Sequence, residues 1–280
     1  MAMELARRHD CEIVSVDSMQ VYRGMDIGTA KPTGADREQV PHHLIDIAEP
    51  DEEVTVAEIQ RRGRLAIAAS TRPKIICGGS GLHFRSLVDP MSFAPTEPGL
   101  REELNTMEME KLVAELVEID PSAGDQVDLA NRRRVVRALE VARLGAGTPS
   151  ERARSDEARR LQRFDAEIPF LGFGLDPSDQ LGPRVEERSA LMRSAGLVGE
   201  VERLAPRLGR TARSAIGYRE VLEALDHGDG IDGAFAAITA NTLKLARRQR
   251  TWFRRDPRIR WIPWSEDPVE NADQIEGLLD

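Results

Sequence analysis

Val14-Ser15-Val16-Asp17-Ser18-Met19-Gln20-Val21-Tyr22-Arg23-Gly24-Met25-Asp26-Ile27-Gly28-Thr29-Ala30-Lys31-Pro32 is the stretch on which the reading of this chain turns. Ile13, Val14 and Val16 are apolar and β-branched with no charge among them, which predicts a buried strand. Asp17 follows where that strand must end. In open α/β sheets, ligands sit outside the carboxyl ends of the strands. Beyond Asp17 lies a loop with two glycines, a lysine and a proline, which continues as neither helix nor central strand. An acid at a strand tip before such a loop reads as a site. Asp17 or Ser18 serves equally well as an N-cap for a following helix, and the pattern alone leaves both open.

Further strand and helix signals follow the same alternation. Leu44 to Ile47 is a short strand candidate, preceded by Pro41-His42-His43. Adjacent side chains on a strand face opposite ways, and no third ligand stands at metal-binding spacing, so His42 and His43 read as structural. Thr55-Val56-Ala57-Glu58 has the pattern of a capping box opening a helix to about Ser70. Lys74 to Cys77 reads as a buried strand running into Gly78-Gly79-Ser80-Gly81, a turn that lets backbone approach a ligand closely. Gly99 to Leu144 is helical throughout, Gly145 to Arg163 reads as a linker or mobile loop, and Phe170 to Leu175 returns to strand character, so the chain re-enters the sheet. A helix from Pro183 then ends at a Gly196 cap.

Composition limits the function classes. The 280 residues carry 39 Lys and Arg against 48 Asp and Glu, a net charge of −9, with 40% hydrophobic and 31% charged residues and no apolar run near membrane-span length. An acidic body argues against indiscriminate nucleic-acid binding, so any RNA contact must be a local basic patch. Two such patches exist. Arg133 and Arg137 lie four apart with Arg134 beside them on an amphipathic helix, and Val135 and Val136 begin its buried side. Lys244 to Arg260 holds eight basic residues against Asp256 and interleaves them with Trp252 and Phe253, as phosphate contact and base stacking require. Ordinary solvated helix faces have the same look. Cys11 and Cys77, each beside apolar residues, read as buried reduced thiols and a cytoplasmic chain.

The run from Val14 to Pro32 resembles the signature of the tRNA dimethylallyltransferases, also called tRNA isopentenyltransferases or IPP transferases. The resemblance continues through Gly78 to Leu82, Arg101, Arg133 to Arg137, the pattern Arg184, Arg188, Gly196, Leu197, Glu200, Val201, and Ser214 to Arg219, as far as Trp261. It implies transfer of a dimethylallyl group from dimethylallyl diphosphate to N6 of the adenine immediately 3′ of the anticodon. The implied catalytic pair is Asp17, taking the amine proton, and Arg188. Implied tRNA contacts are Asp17, Ser18, Met19, Gln20, Ser80, Arg101, Arg133, Arg134, Val135, Val136, Arg137, Ser214, Ala215, Ile216, Gly217, Tyr218, Arg219, and Arg247, Arg248, Gln249, Arg250, Thr251, Trp252, Phe253 and Arg254. Arg188, Lys31 and Arg184 remain to hold the diphosphate, and the family's Mg²⁺ is the implied cofactor. His83 stands where the family has tyrosine.

One family feature is missing. No G-x-x-x-x-G-K-[S/T] phosphate loop occurs; Gly24, Gly28 and Lys31 have the wrong spacing for it. Met3 to Arg8 reads as the last turns of a helix, so the expectation is a chain whose true start lies upstream. The expected fold is an α/β core of the P-loop NTPase kind, a parallel sheet without its first strand and P-loop, over 1–92 and 150–280. A small α-helical tRNA-binding insert over 93–149 completes it, and the expected state is a monomer away from membranes. Two rivals stand beside this reading: a tRNA-binding homologue impaired in catalysis, and a small-molecule kinase or ATPase, against which the absent loop counts directly.

Overall fold

Short β-branched runs separated by amphipathic helices cannot pair as hairpins; they form parallel strands with helical crossovers. The computed structural model describes residues 1–228 and 230–279. It divides into two compact units, Met1–Val88 with Pro169–Asp280, and Asp89–Ile168.

The first unit opens with α1 (Ala2–Arg8), β1 (Glu12–Ser15), α2 (Gly34–Gln39), β2 (His42–His43), α3 (Val56–Ala68), β3 (Lys74–Cys77) and α4 (Gly81–Val88). β1 is central and pairs in parallel with both neighbours, Ile13 opposite His42 and Ser15 opposite Cys77. All four of its residues are buried, as a strand enclosed within a parallel sheet must be. Glu12 is tolerated there because Ser70 Oγ donates to it at 2.9 Å, while His43 Nε2 lies at 2.8 Å and Lys74 Nζ at 3.3 Å.

His43, with help from Ser70 and Lys74 and against the burial cost, holds the Glu12 carboxyl down at about 2, from an ordinary 4.5. A carboxylate with a depressed folded-state value contributes stability above its unfolded value and loses it as pH falls through the folded one. The difference in melting temperature between wild type and Glu12→Gln is therefore expected to be largest above pH 4.5 and to shrink toward pH 2. Thermal unfolding across that range checks it; a constant difference would remove Glu12 from the acid response.

Two local expectations change. The strand expected at Leu44–Ile47 is displaced to His42–His43, because Leu44 and Asp46 take positive φ of 64° and 55°. Asp46 is held so by Lys31 Nζ (2.7 Å), Arg37 Nη1 (2.6 Å) and its own N–H on Gln20 O (3.2 Å). At α3 only half the capping box forms. Thr55 Oγ1 accepts from Glu58 N–H, but the Glu58 carboxylate turns to Arg61 and Arg62.

The second unit is helical: α5 (Pro98–Thr106), α6 (Met109–Ile119), α7 (Arg132–Arg143), α8 (Pro149–Ala153) and α9 (Asp156–Gln162). Leu104, Leu112, Leu116, Val135 and Leu139 form its core. The expected linker over 145–163 instead contains α8 and α9, each opened by a hydroxyl N-cap, Thr148 with a full capping box and Ser155. Charge and small residues there suggested a loop, and the caps turned them into helix starts.

Glu140 is fully buried in this unit and accepts from Arg101 Nη2 (2.6 Å), Arg137 Nη1 (2.6 Å) and Glu97 N–H (3.0 Å). Burial raises its carboxyl, but the two guanidiniums win and the net shift is downward. Glu140→Ala strands an N–H and two part-exposed arginines, and is expected to cost the helical unit about 2–3 kcal/mol. Hydrogen exchange within Arg132–Arg143 measures this locally, and unchanged protection would count against it.

The first unit resumes with β4 (Gly172–Asp176), α10 (Leu181–Ser194), α11 (Leu197–Leu204), α12 (Arg210–Arg213), α13 (Tyr218–His227), α14 (Ile231–Phe253), β5 (Ile259–Pro263) and α15 (Pro268–Glu276). β4 does not rejoin the three-stranded sheet; it pairs in parallel with β5 as a separate ribbon, Gly172 opposite Ile259. Gly196, at φ 94°, makes the reversal between α10 and α11. Tyr22, Met25, Leu87, Leu197, Tyr218 and Ile238 meet in one core.

Candidate active site

The carboxyl end of β1 is where the chain leaves regular structure, and Asp17 governs how it leaves. Asp17 Oδ1 accepts from Met19 N–H (2.8 Å) and Gln20 N–H (3.3 Å), so the carboxylate caps a tight turn and no helix follows. Ser15 Oγ lies below, donating to Gln20 Oε1 (2.9 Å). The Gln20 amide in turn donates to Thr29 O (3.2 Å) and Ala30 O (3.4 Å), tying the turn to the far end of the loop.

The loop is braced twice more. Glu200, buried on α11, receives Asp26 N–H, Ile27 N–H and Gly28 N–H at 2.9–3.1 Å and the Tyr218 hydroxyl at 2.5 Å. Gly28 has no room for a side chain, since a Cβ there would lie 2.4 Å from the Tyr218 ring. Lys31 turns inward, its side chain 1% exposed, onto Tyr22 O (2.7 Å), Asp26 (2.6 Å) and Asp46 (2.7 Å). The expected diphosphate ligand Lys31 is thus a buried loop brace, because three oxygens inside the fold claim its ammonium.

A cleft of about 480 Å³ opens beside this turn. Of the residues picked out from sequence it gathers Asp17, Ser18, Met19, Ser80, Arg188, Ser214, Ala215, Ile216, Arg219, Arg248 and Gln249. Among the described residues Asp17 is the one carboxylate lining it, alongside the cations Arg188, Arg219, Lys244 and Arg248. Burial draws the Arg188 guanidinium below its usual range, the Asp17 carboxylate pulls the other way, and Arg184 adds to the lowering. Arg188 reaches solvent through the cleft, and a guanidinium in any protein setting stays protonated. Arg219 is paired with Glu220, which also takes Asn241 Nδ2 (2.8 Å) and caps α13 at Gly217 N–H (2.8 Å).

Other expected site residues are placed elsewhere. Arg184 stacks on Trp264, 3.8 Å from the ring centroid. Tyr218 is fully buried on Glu200, its phenol pushed up by burial and by that carboxylate, so it cannot meet an RNA from this position. Val135 and Val136 are core residues of the helical unit, and Arg101 and Arg137 are engaged on Glu140; Arg133 and Arg134 are exposed. Arg250 (3.3 Å) and Arg254 (2.7 Å) pair with Asp176 at the tip of β4, while Arg247, Arg248, Thr251, Trp252 and Arg255 line a second, shallower groove. Phe253 packs on Phe84.

The Gly78–Gly81 turn does join β3 to α4, but its small residues admit protein. Added Cβ atoms at Gly79 and Gly81 would strike Gln249 and Trp252 of α14, each at 2.2 Å. His83, at the position of the departure, has a buried Nδ1 without a hydrogen-bond partner among the described residues; burial lowers its basicity against the pull of Asp17.

Sequence reasoning missed Gly28, Thr29, Met192 and one face of α14. Ile238, Asn241, Thr242 and Leu245 line the cleft together with Arg248 and Gln249. Their spacing of three and four was a legible signal that one helix face is turned to a site.

The donor set does not suit a resident Mg²⁺. The cleft offers one carboxylate with an oxygen already accepting two N–H groups, and the described residues contain no cluster of three or more His, Cys, Asp or Glu. No described helix is long and apolar enough to cross a membrane.

Residues 20–256 match the family model described as IPP transferase. A tRNA dimethylallyltransferase of Acidothermus cellulolyticus is 42% identical, with 100% of this chain and 90% of that protein covered. Another, from Streptomyces avermitilis, is 42% identical with 98% and 89% covered. The solved tRNA delta(2)-isopentenylpyrophosphate transferase of Staphylococcus epidermidis superposes with a TM-score of 0.70 at 29% identity, covering 99% of this chain and 93% of that one. The full-length tRNA isopentenylpyrophosphate transferase of Bacillus halodurans gives 0.70 at 31% identity, covering 99% and 89%. A cleft built around the strand-tip Asp17 and a match running along most of the chain point the same way: this chain belongs to the IPP transferase family.

Proposed function

We propose that this chain transfers a dimethylallyl group from dimethylallyl diphosphate to N6 of the adenine 3′-adjacent to the anticodon in tRNA. The observation that carries the reading is one cleft lined by both Asp17 and Arg188. An exocyclic adenine amine is a weak nucleophile, because its lone pair is delocalised into the ring. A carboxylate accepting its proton as the new C–N bond forms lowers that barrier, and among the described residues Asp17 is the one acid lining the cleft. The departing diphosphate gathers negative charge as the C–O bond breaks, and fixed cations stabilise it most where water is thin. Arg188, lining the same cleft as Asp17, is suited to meet that charge. No step here runs through a metal.

The target base must leave its stack to reach Asp17. Lys244 and Arg248 on α14 flank the cleft and are suited to the neighbouring phosphates. The exposed Arg133 and Arg134 offer the helical unit a share in holding the stem. The parallel β2-β1-β3 sheet with its crossover helices supports a core of the nucleotide-binding α/β kind.

The test is transfer of a labelled dimethylallyl group to an anticodon stem-loop with adenine 3′ of the anticodon, beside the same stem-loop carrying inosine there. Label on the adenine substrate alone is the expected result. A stem-loop that binds but gains no label from this chain would replace the reading with RNA binding without catalysis.

A further inference from the structure

Glu200 stands outside the cleft, yet its carboxylate accepts from the N–H of Gly28, which lines it, and from the two residues before it. Its carboxylate is 2% exposed and sits in a concavity of three successive N–H groups, Asp26, Ile27 and Gly28, with the Tyr218 hydroxyl completing the ring. A run of successive backbone amides around one anion is a nest, and the anion satisfies N–H groups that would otherwise be buried without partners. The wall it shapes continues directly to Thr29. Thr29 O accepts from the Gln20 side chain, and Gln20 N–H donates to Asp17 Oδ1. Three hydrogen bonds, joined by the Gly28–Thr29 backbone and the Gln20 side chain, thus connect Glu200 to the proposed proton acceptor.

We propose that Glu200 is a positioning residue for Asp17, acting through the Gly28–Thr29 wall and the Gln20 amide. This rests on the transfer reaction proposed above. A misplacement of a reacting group by about 1 Å can cost on the order of 10²-fold in rate, so a residue that never touches substrate can govern turnover. Glu200→Gln puts an NH₂ group where Asp26 and Ile27 donate, breaking half the nest while keeping the shape. Tyr218→Phe removes only the hydroxyl bond and leaves the three N–H bonds in place.

The experiment uses the full chain as wild type, Glu200→Gln, Gln20→Ala and the double variant, with Tyr218→Phe as the milder break should Glu200→Gln fail to fold. Hydrogen exchange is read at Met19 and Gln20, which touch Asp17 and not Glu200, and kcat is read per stem-loop-binding site. Faster exchange at both amides, a kcat lower by about 10–100-fold, an unchanged KM for the stem-loop and little further loss in the double variant are expected. Exchange changes confined to 26–28 with kcat unaltered, or single-variant losses that simply multiply, would overturn the proposal. Should wild type transfer nothing, the reaction falls, while the exchange arm still decides whether Glu200 governs the Asp17 turn.

Discussion

Asp17→Asn is expected to lower the single-turnover rate of dimethylallyl transfer by about 10²–10⁴-fold and to leave stem-loop affinity unchanged. Asparagine is the informative replacement because its carbonyl oxygen still accepts from Met19 N–H and Gln20 N–H. The turn keeps its shape, and only the capacity to take a proton is lost. Alanine would remove the turn as well and confuse the two effects. Rapid-quench measurement of transfer, with anisotropy titration of the stem-loop, separates rate from binding. A wild-type rate in Asp17→Asn would mean that the amine proton leaves to solvent, and that the carboxylate is there to build the turn.

Arg188→Gln is expected to lower kcat by about 10²–10³-fold and to weaken inhibition by inorganic diphosphate in parallel. Four cations line the cleft, but they are not equivalent. Arg219 is drawn onto Glu220, and Lys244 and Arg248 project from α14, whereas Arg188 comes from α10 and lies within the field of the Asp17 carboxylate. Arg188→Lys keeps the charge but not the planar fork that matches phosphate oxygens, so partial recovery is expected. Full activity in Arg188→Gln, with loss in Arg248→Gln, would move the diphosphate clamp to α14.

The elements that the local pattern named were those whose cause is local. β1 and β3 are β-branched runs ended by polar or glycine residues, and the Gly196 reversal follows from glycine's freedom at positive φ. Asp17 was readable as a site because it ends a strand before a Gly/Lys loop that continues as neither helix nor strand, and the resemblance decided between that and an N-cap. The misreadings came from partners that composition does not show, one of them distant and the others local. Leu44 to Ile47 has strand composition, yet Lys31, fifteen residues before Asp46, bends it out of the sheet. Thr148 and Ser155 sit in a run that composition calls a linker, and hydrogen bonds to their hydroxyls make it two helices.

By itself, the sequence determined the alternation that demands a parallel sheet, the acid at the tip of β1, the amphipathic α7 and the kinship that ties these together. Which charges remain available to a substrate was decided only in three dimensions. Lys31, Arg101, Arg137, Arg250 and Arg254 all read as free cations along the chain, and all five are matched to buried or half-buried acids in the fold. Tyr218 reads as a surface aromatic and is the floor under Gly28. The physical reason is that a charge's partner is set by tertiary proximity, and desolvation makes that partner obligatory once the group is enclosed. Apart from Arg137 and Glu140, three apart on α7, spacing along the chain carries no information about either.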